Sequence, residues 1–492
     1  MFEIETKRFL ATLATPSSLT GVLLLAGALL LFRFTLFGPD LSHLPLLDAA
    51  LTKAQRWKAF QQEEEAVFHR GYNQFKGAFR IDTPEGPFIV LPPHLLDEIK
   101  KADDIMDNAS ALSDITLTDL TGVTSTSPMM NHIVKGDLTV ALNRINPRLS
   151  ETAEESVATE MPPCSEWTQV HWYKIILNVI ATVSGDIFLG RELCRNEDYM
   201  KMAVGYTVNA FTGINKLRLW WKPLRIIGRY FVPELRLTNK LRANTKKFLA
   251  PIIRQRRAML EQGVEVSDDL MTWSLRKIHL FPGEMKSDDD VAFMQLRLST
   301  AAIHSTSLTG VLLMRDIASQ PGLVRALRDE MEDVLARHNG VFTINALYQM
   351  KLLDSVMKES QRMHMLGPSM YRNKALVGLT LSDGTYIPPN VRIVSATLAA
   401  SMDPSIWTNP ETFDPYRFVN LRKASEEAGR HQFVTVTKDM IAFGYGKHTC
   451  PGRFFAANEL KIIFITILRN YDVEIREGGS KWAPNLYFKK IQ

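Results

Sequence analysis

The sequence predicts a mainly α-helical protein with a small β part, preceded by an N-terminal transmembrane helix, and three observations carry that expectation. Apolar residues recur with helical periodicity through most of the chain after Leu44-Pro45. Strand-like runs are confined to the neighbourhoods of residues 79–91 and 376–398. The stretch from Phe9 to Phe32 carries no charged residue. The 492 residues, 46% hydrophobic and 23% charged, suit one large globular unit without fixed-period repeats or biased tracts.

The first element is the anchor, residues 1–37, which leaves residues 38–492 as one folded domain. Leu19 to Leu31 is almost entirely Leu, Val, Ala and Gly. With Arg33 snorkelling, Ser17 to Phe37 is long enough to span a hydrocarbon core of about 30 Å. A cleaved signal peptide is the alternative, but Phe37-Gly38-Pro39-Asp40 makes a poor small-residue cleavage site. Lys7 and Arg8 on one side are outnumbered by Arg33, Lys53, Arg56 and Lys58 on the other, which favours a cytosolic body. Cysteine usage agrees, because Cys164, Cys194 and Cys450 are too few for a disulfide framework and point to a reducing compartment. The sequon Asn108-Ala109-Ser110 would then go unused. A net charge of +5, from 58 basic and 53 acidic residues without a basic run, argues against nucleic-acid binding and suits a membrane surface or an acidic protein partner.

Within the body, Leu379 to Val394 carries β-branched and aromatic residues punctuated by Asp383-Gly384 and Pro388-Pro389, the pattern of a small hairpin-rich sheet. Before it runs a long helix. Ser287 is its N-cap, Asp288, Asp289 and Asp290 complement the helix dipole, and Ser319-Gln320-Pro321-Gly322 stops it. At 1.5 Å per residue its roughly 30 residues reach about 45 Å, the width of a domain. Near its middle, Ala301-Ala302-Ile303-His304-Ser305-Thr306-Ser307 joins two small residues to four polar ones. A tightly packed buried helix whose hydroxyls bond back to the preceding turn is the plain alternative.

The strongest local pattern is Phe443-Gly444-Tyr445-Gly446-Lys447-His448-Thr449-Cys450-Pro451-Gly452-Arg453, followed by a helical stretch from Phe454 to Arg469. A single cysteine on a glycine-rich loop running into a helix N-terminus has backbone N–H groups and a positive dipole end to stabilise a thiolate. Zinc would need three or four protein ligands, and no second Cys or His stands at a suitable spacing. A metal bound by one thiolate must take its other ligands from a cofactor, and haem is the economical answer. Pro451 has no N–H, so Gly452 and Arg453 are the expected donors to the sulfur, while Gly444 and Gly446 allow the loop to lie flat near a macrocycle. A buried inert cysteine is the competing reading.

At these residues the sequence resembles the cytochrome P450 family of haem-thiolate monooxygenases. Glu359-Ser360-Gln361-Arg362 looks like the family's E-x-x-R, and Asp414-Pro415-Tyr416-Arg417-Phe418 like the segment whose arginine completes that network. The resemblance implies the P450 fold, haem b with Cys450 as axial ligand, and a buried network of Glu359, Arg362 and Arg417. It makes the 287–318 helix the one that crosses the haem with a small-small-x-acid-alcohol signature. Here His304 stands at the acid position and Ser305 at the alcohol, with Thr306 beside it, and the resemblance gives these three the delivery of protons. Phe443, Gly444, Gly446, His448 and Gly452 belong to the cofactor loop; His448 and Arg372 match positions that hold the haem propionates. The family's W-x-x-x-R is not visible, and His132 and Lys135 are the substitutes considered.

The chain has no flavin or dinucleotide signature, so a separate reductase is implied. The resemblance points to the NADPH-dependent diflavin reductase, with cytochrome b5 as a second electron donor, and to the endoplasmic reticulum membrane. Lys135, Arg144, Lys447 and Arg453 are the expected basic contacts for the reductase. Family substrate regions carry Tyr206, Phe211, Trp220, Trp221, Leu366, Met370 and Trp482, an apolar inventory that suits a polycyclic substrate. The motif variants are similar to those of fungal members that tailor terpenoid, meroterpenoid and indole-diterpene scaffolds. A monooxygenase is the first reading; a haem-thiolate desaturase, ring-former or isomerase is the second, and a non-catalytic haem carrier the third.

Overall fold

The computed structural model describes residues 39–491 apart from 125–126 and 425–427. The expected membrane segment at Ser17–Phe37 lies outside these residues. Helices dominate. Those that frame the site are α1 (Lys53–Gln62), α2 (Glu64–Gln74), α3 (Asn108–Thr116), α4 (Pro128–Ile133), α5 (Thr139–Glu160), α6 (Trp172–Leu189), α7 (Glu197–Arg218), α8 (Pro233–Glu261), α9 (Asp288–Ala318), α10 (Lys351–Met363) and α11 (Arg453–Asn470). The expected long helix is α9: the Ser287 side chain accepts from Asp290 N–H, and Asp288, Asp289 and Asp290 fill its first turn.

One large apolar core joins α5, α6, α9 and α11. Helix α6 is its axis, with Ile175, Ile176, Val179, Ile180 and Val183 all buried. Among the described residues it is the one helix long and apolar enough to cross a membrane, yet it is enclosed by protein. Trp172 at its start stacks on Phe488, 5.3 Å between centroids, and donates from Nε1 to Gly310 O on α9. Gly310 permits this close approach, because a Cβ would stand 3.0 Å from Ile176 Cγ1 and press on it. These contacts fix α9 against the core along its middle turns.

The β part is a four-stranded sheet in the order β1 (Phe79–Thr83), β2 (Gly86–Leu91), β7 (Arg392–Ser395), β4 (Met370–Lys374), a hairpin of β5 (Leu379–Thr380) and β6 (Tyr386–Ile387), and a three-stranded sheet in which β9 (Ala483–Lys490) lies between β3 (Thr168–Val170) and β8 (Tyr471–Ser480). The 379–394 stretch therefore divides: β5 and β6 turn at Asp383-Gly384, whereas β7 leaves them to pair in parallel with β2. Strand β4 bulges against β7 between Met370 and Asn373, with Tyr371 at φ 57°. A bulge of this kind re-aims a side chain, here that of Arg372.

The segment leading to Cys450 is tied to α10 by buried charge. Glu359 and Arg362 side chains are 0% exposed, and Arg362 donates to both carboxylate oxygens at 2.9 and 2.8 Å. Arg417 adds Nε bonds at 3.0 and 3.1 Å, and Asp414 N–H is a third partner. The remaining guanidinium donors go to Ser401 O, Thr408 O, Asn409 O and Thr412 O. Lys358, one residue before Glu359, donates to Gln432 O and Thr435 O, so the same helix grips the chain just ahead of the cysteine loop. A second buried carboxyl, Glu459 on α11, accepts from Ser184 of α6 at 2.5 Å, and its other oxygen has no partner.

Two stability measurements follow from these buried groups. Glu359→Ala leaves two guanidiniums without their carboxylate, and urea unfolding should show a loss of about 3–5 kcal/mol, whereas Glu197→Ala, which breaks the exposed Lys201–Glu197 pair, should not move the midpoint measurably. Equal effects would remove the network from its structural role. Burial pushes the Glu459 carboxyl from 4.5 up to about 8. The folded state keeps this proton while the unfolded state sheds it, so stability falls as pH rises between those two values. In Glu459→Gln the decline from about pH 5 to about pH 8 should be smaller than in the parent chain; parallel pH profiles would contradict it.

Candidate haem-thiolate active site

Helix α9, the cysteine loop, α10 and the β4 bulge enclose a cavity of about 450 Å³. Cys450 is the only one of the three cysteines on its wall; Cys164 and Cys194 are buried elsewhere. The loop is closed by Cys450 N–H donating to Phe443 O at 2.7 Å and Gly444 N–H to Ile441 O at 2.8 Å. Gly444 sits at φ +82°, and a Cβ there would meet His448 O at 3.0 Å, so only glycine fits. Gly446, at φ +68°, is turned out of the cavity toward Lys100 and Asp103, so its conformation rather than any contact with the cavity requires glycine. Phe443 lines the cavity and packs edge-on against Phe433.

The Gly452 and Arg453 backbone N–H groups at the start of α11 lie beside the Cys450 thiol, and the Arg453 guanidinium donates to Cys450 O at 2.9 Å. Burial pushes the thiol up, while these two donors and the Arg453 charge act in the opposite direction. The donors meet sulfur where a thiolate ligand needs its charge spread without being protonated. Gly452 borders the cavity near Val134.

On α9 the wall consists of Leu298, Ala301, Ala302, Ser305, Thr306, Thr309 and Leu312, a single helical face. The two alanines leave room against the helix. Ser305 donates back to Ala301 O at 2.7 Å, and Thr309 to Ser305 O at 2.9 Å, whereas the Thr306 hydroxyl has no such bond. His304 is not on this face. Its ring lies between α6 and α7, with Nε2 3.2 Å from Val204 O and Nδ1 3.5 Å from Tyr173 Oη. Burial lowers its pKa, so it stands as a neutral bridge between helices, and the expectation that it faces the reaction centre is corrected by one step of helical rotation.

One end of the cavity is rich in donors. Arg372, Asn373 and His448 all line it; among the described residues the Arg372 guanidinium makes no hydrogen bond, both amide atoms of Asn373 are buried without one, and His448 Nε2, also without one, stands 4.0 Å from Asp103 Oδ1. Burial disfavours the charged forms of Arg372 and His448. Unsatisfied donors beside a cavity with a thiol on its wall fit a macrocycle that carries two carboxylates, and haem fits these residues. His132 and Lys135 do not belong to this end: both are exposed, His132 packs on Phe281, and their neighbours Met130, Asn131, Val134 and Leu138 face the cavity instead. The inward face is set by the turn of π-helix at Val134–Leu138, which carries Val134 and Leu138 to the wall.

The apolar lining also differs from expectation. Leu366 and Met370 are present, joined by Leu112 from the expected 105–125 region and by Phe188, Met365 and Leu460 from outside the expected regions. Tyr206 is buried against Phe293, Trp220 stacks on Phe231, and Phe211, Trp221 and Trp482 are exposed. Of the expected reductase contacts, Lys135 and Arg144 are exposed, Arg144 pairing with Asp268, and Lys447 reaches Asp103 O.

The family model described as Cytochrome P450 matches residues 125–487. Cytochrome P450 monooxygenase braC of Annulohypoxylon truncatum is 32% identical over 436 residues, covering 87% of this chain and 86% of its own. Cytochrome P450 monooxygenase hepE of Aspergillus oryzae is 33% identical over 481 residues, 93% of this chain and 86% of its own. Cytochrome P450 monooxygenase pyr3 of Aspergillus fumigatus is 33% identical over 448 residues, 87% and 83%. Family membership brings haem with a cysteine thiolate ligand and electrons from NADPH through a reductase. With the cysteine loop, the buried Glu359 network and a match across most of its length, this chain belongs to the cytochrome P450 family of monooxygenases.

Proposed function

We propose that the protein oxidises an apolar scaffold, of terpenoid, meroterpenoid or indole-diterpene type, by hydroxylation in a fungal secondary-metabolite pathway. The observation that carries this reading is the cavity itself: apart from its donor-rich end, leucine, methionine, phenylalanine and alanine side chains dominate the wall that Cys450 shares with Ala301 and Ala302. The haem supplies the redox chemistry that splits dioxygen, with two electrons delivered from NADPH. The chain's own residues do the rest. Gly452 and Arg453 N–H groups hold charge on the sulfur, Arg372 and His448 orient the cofactor through its carboxylates, and Ala301-Ala302 give the substrate access along α9. Thr306, whose hydroxyl is uncommitted within the helix, holds and passes the proton, with Ser305 accepting beside it. His304 positions α9 between Tyr173 and Val204. The N-terminal segment anchors the domain on the cytosolic side of the endoplasmic reticulum, where a diflavin reductase, with cytochrome b5 as auxiliary, meets the exposed basic residues.

Membranes carrying the protein and a diflavin reductase, fed NADPH, heavy dioxygen and an apolar extract of a fungal culture, should yield a product with one heavy oxygen by mass spectrometry. A product lacking two hydrogens and unlabelled would replace hydroxylation by desaturation or ring closure. Thr306→Val should lower product formed per NADPH consumed by about tenfold or more, whereas His304→Gln should leave that ratio unchanged. A larger loss in the His304 variant would return the histidine to the proton path.

A further inference from the structure

Beside the main cavity lies a second of about 150 Å³, and the two share Arg372 and Asn373 on their walls. The smaller one adds Arg218 from the end of α7, Arg392 of β7, Glu64 of α2 and Glu85 from the β1–β2 turn. Its charges do not balance. Glu85 hydrogen-bonds Arg225 through two 2.8 Å bonds, and Glu64 hydrogen-bonds none of Arg218, Arg372 and Arg392, so the carboxylates Glu64, Glu85 and, from outside the chamber, Asp114 act on these three guanidiniums only at a distance. The guanidiniums are far from satisfied. Arg392, 8% exposed, donates only to Gly86 O at 3.3 Å and lies 4.4 Å over the Phe88 ring. Arg218 reaches Asn215 Oδ1 and Ile115 O, while its Nε is buried without a partner. Asn373 is 1% exposed with neither amide atom bonded. Burial opposes the charge on all three arginines, so a bound anion would relieve a cost already present in the fold.

We propose that this chamber is a subsite for a carboxylate carried by the substrate, held by Arg392, Arg218 and the Asn373 amide while the apolar body of the same molecule lies in the main cavity. The inference rests on the proposed oxidation of an apolar scaffold and narrows it to acids. Planar forks in a small enclosed space suit a carboxylate, which two guanidiniums grip through paired N–H donors. A carboxylate has two sources here, the substrate and a haem propionate. Arg372 and His448 stand on the wall that Cys450 shares and serve the propionates, whereas Arg218 and Arg392 border only the smaller chamber.

The test uses the holoprotein and flexible probes that follow either cavity: saturated fatty acids and their methyl esters, titrated by the shift of the haem Soret band. The acids should bind about 10- to 100-fold more tightly than the esters, and Arg392→Gln should erase the difference while haem content and the carbon monoxide spectrum of the thiolate haem persist. Arg218→Gln provides the same reading if the Arg392 variant does not fold. The proposal is overturned if no acid outbinds its ester, if the preference survives in both variants, or if the variants lose haem instead of acid preference, which would give the chamber to a propionate. A parent protein without the thiolate-haem spectrum would instead break the underlying functional reading.

Discussion

A desolvated carboxylate governs the rest of this structure. The Glu359 side chain is fully buried, and Arg362, Arg417 and the Asp414 N–H surround its carboxylate. Replacement of such a cluster by apolar residues of the same shape is often neutral for stability, and its value lies elsewhere. Each arginine uses its spare donors on carbonyls of residues 401 to 412, so the cluster admits one path for the chain that leads to the cysteine loop. Lys358 grips the next stretch at Gln432 and Thr435. The cysteine is therefore placed by a scaffold of buried polar bonds, and its own loop is closed by three backbone hydrogen bonds and two positive-φ glycines, Gly444 and Gly446.

The other wall obeys a different constraint. Helix α9 must run past the core without filling the space in front of Cys450, and it does so by presenting Ala301 and Ala302 to the cavity and Gly310 to Ile176. Small residues face two ways at two levels of one helix. Polar side chains between them are then sorted by rotation: Ser305, Thr306 and Thr309 turn inward, and His304 turns to α6 and α7. A histidine between two packed helices is held neutral by burial, and a neutral ring bonded on both sides serves as a fixed spacer.

Much of this was legible in the sequence because its signals are local. The N-cap and stop of α9, the glycines and cysteine of the loop, and the Glu359-Arg362 spacing each depend on a few neighbouring residues. The failures share a cause: they concern direction, which depends on what packs against each element. Nothing within residues 301–307 says which side faces α6, so a motif position was mistaken for an orientation at His304. His132 and Lys135 lie on the outer face of a helix whose inner face is set by a π turn. Strands β8 and β9 were missed although Tyr471, Val473 and Ile475 alternate before the Gly478-Gly479 turn, because the helical run through α11 ends only at Asn470. Phe211, Trp221 and Trp482 are aromatic and exposed, where apolar character alone suggested a pocket.

Charged residues mislead in the opposite sense. Arg362 is fully buried, as its E-x-x-R spacing implies, but Arg392 belongs to no such motif, reads as surface, and is only 8% exposed on a short strand. The two differ in how their charge is met. Arg362 has a carboxylate and a carbonyl for its forks, so it organises the fold; Arg392 has one long bond and an aromatic face. A fold that confines three guanidiniums and an unbonded amide beside an apolar cavity carries an electrostatic cost that Glu64, which hydrogen-bonds none of them, offsets only in part. An anion from outside the chain resolves that imbalance, and the apolar cavity next to it determines that the anion arrives attached to a hydrophobic body.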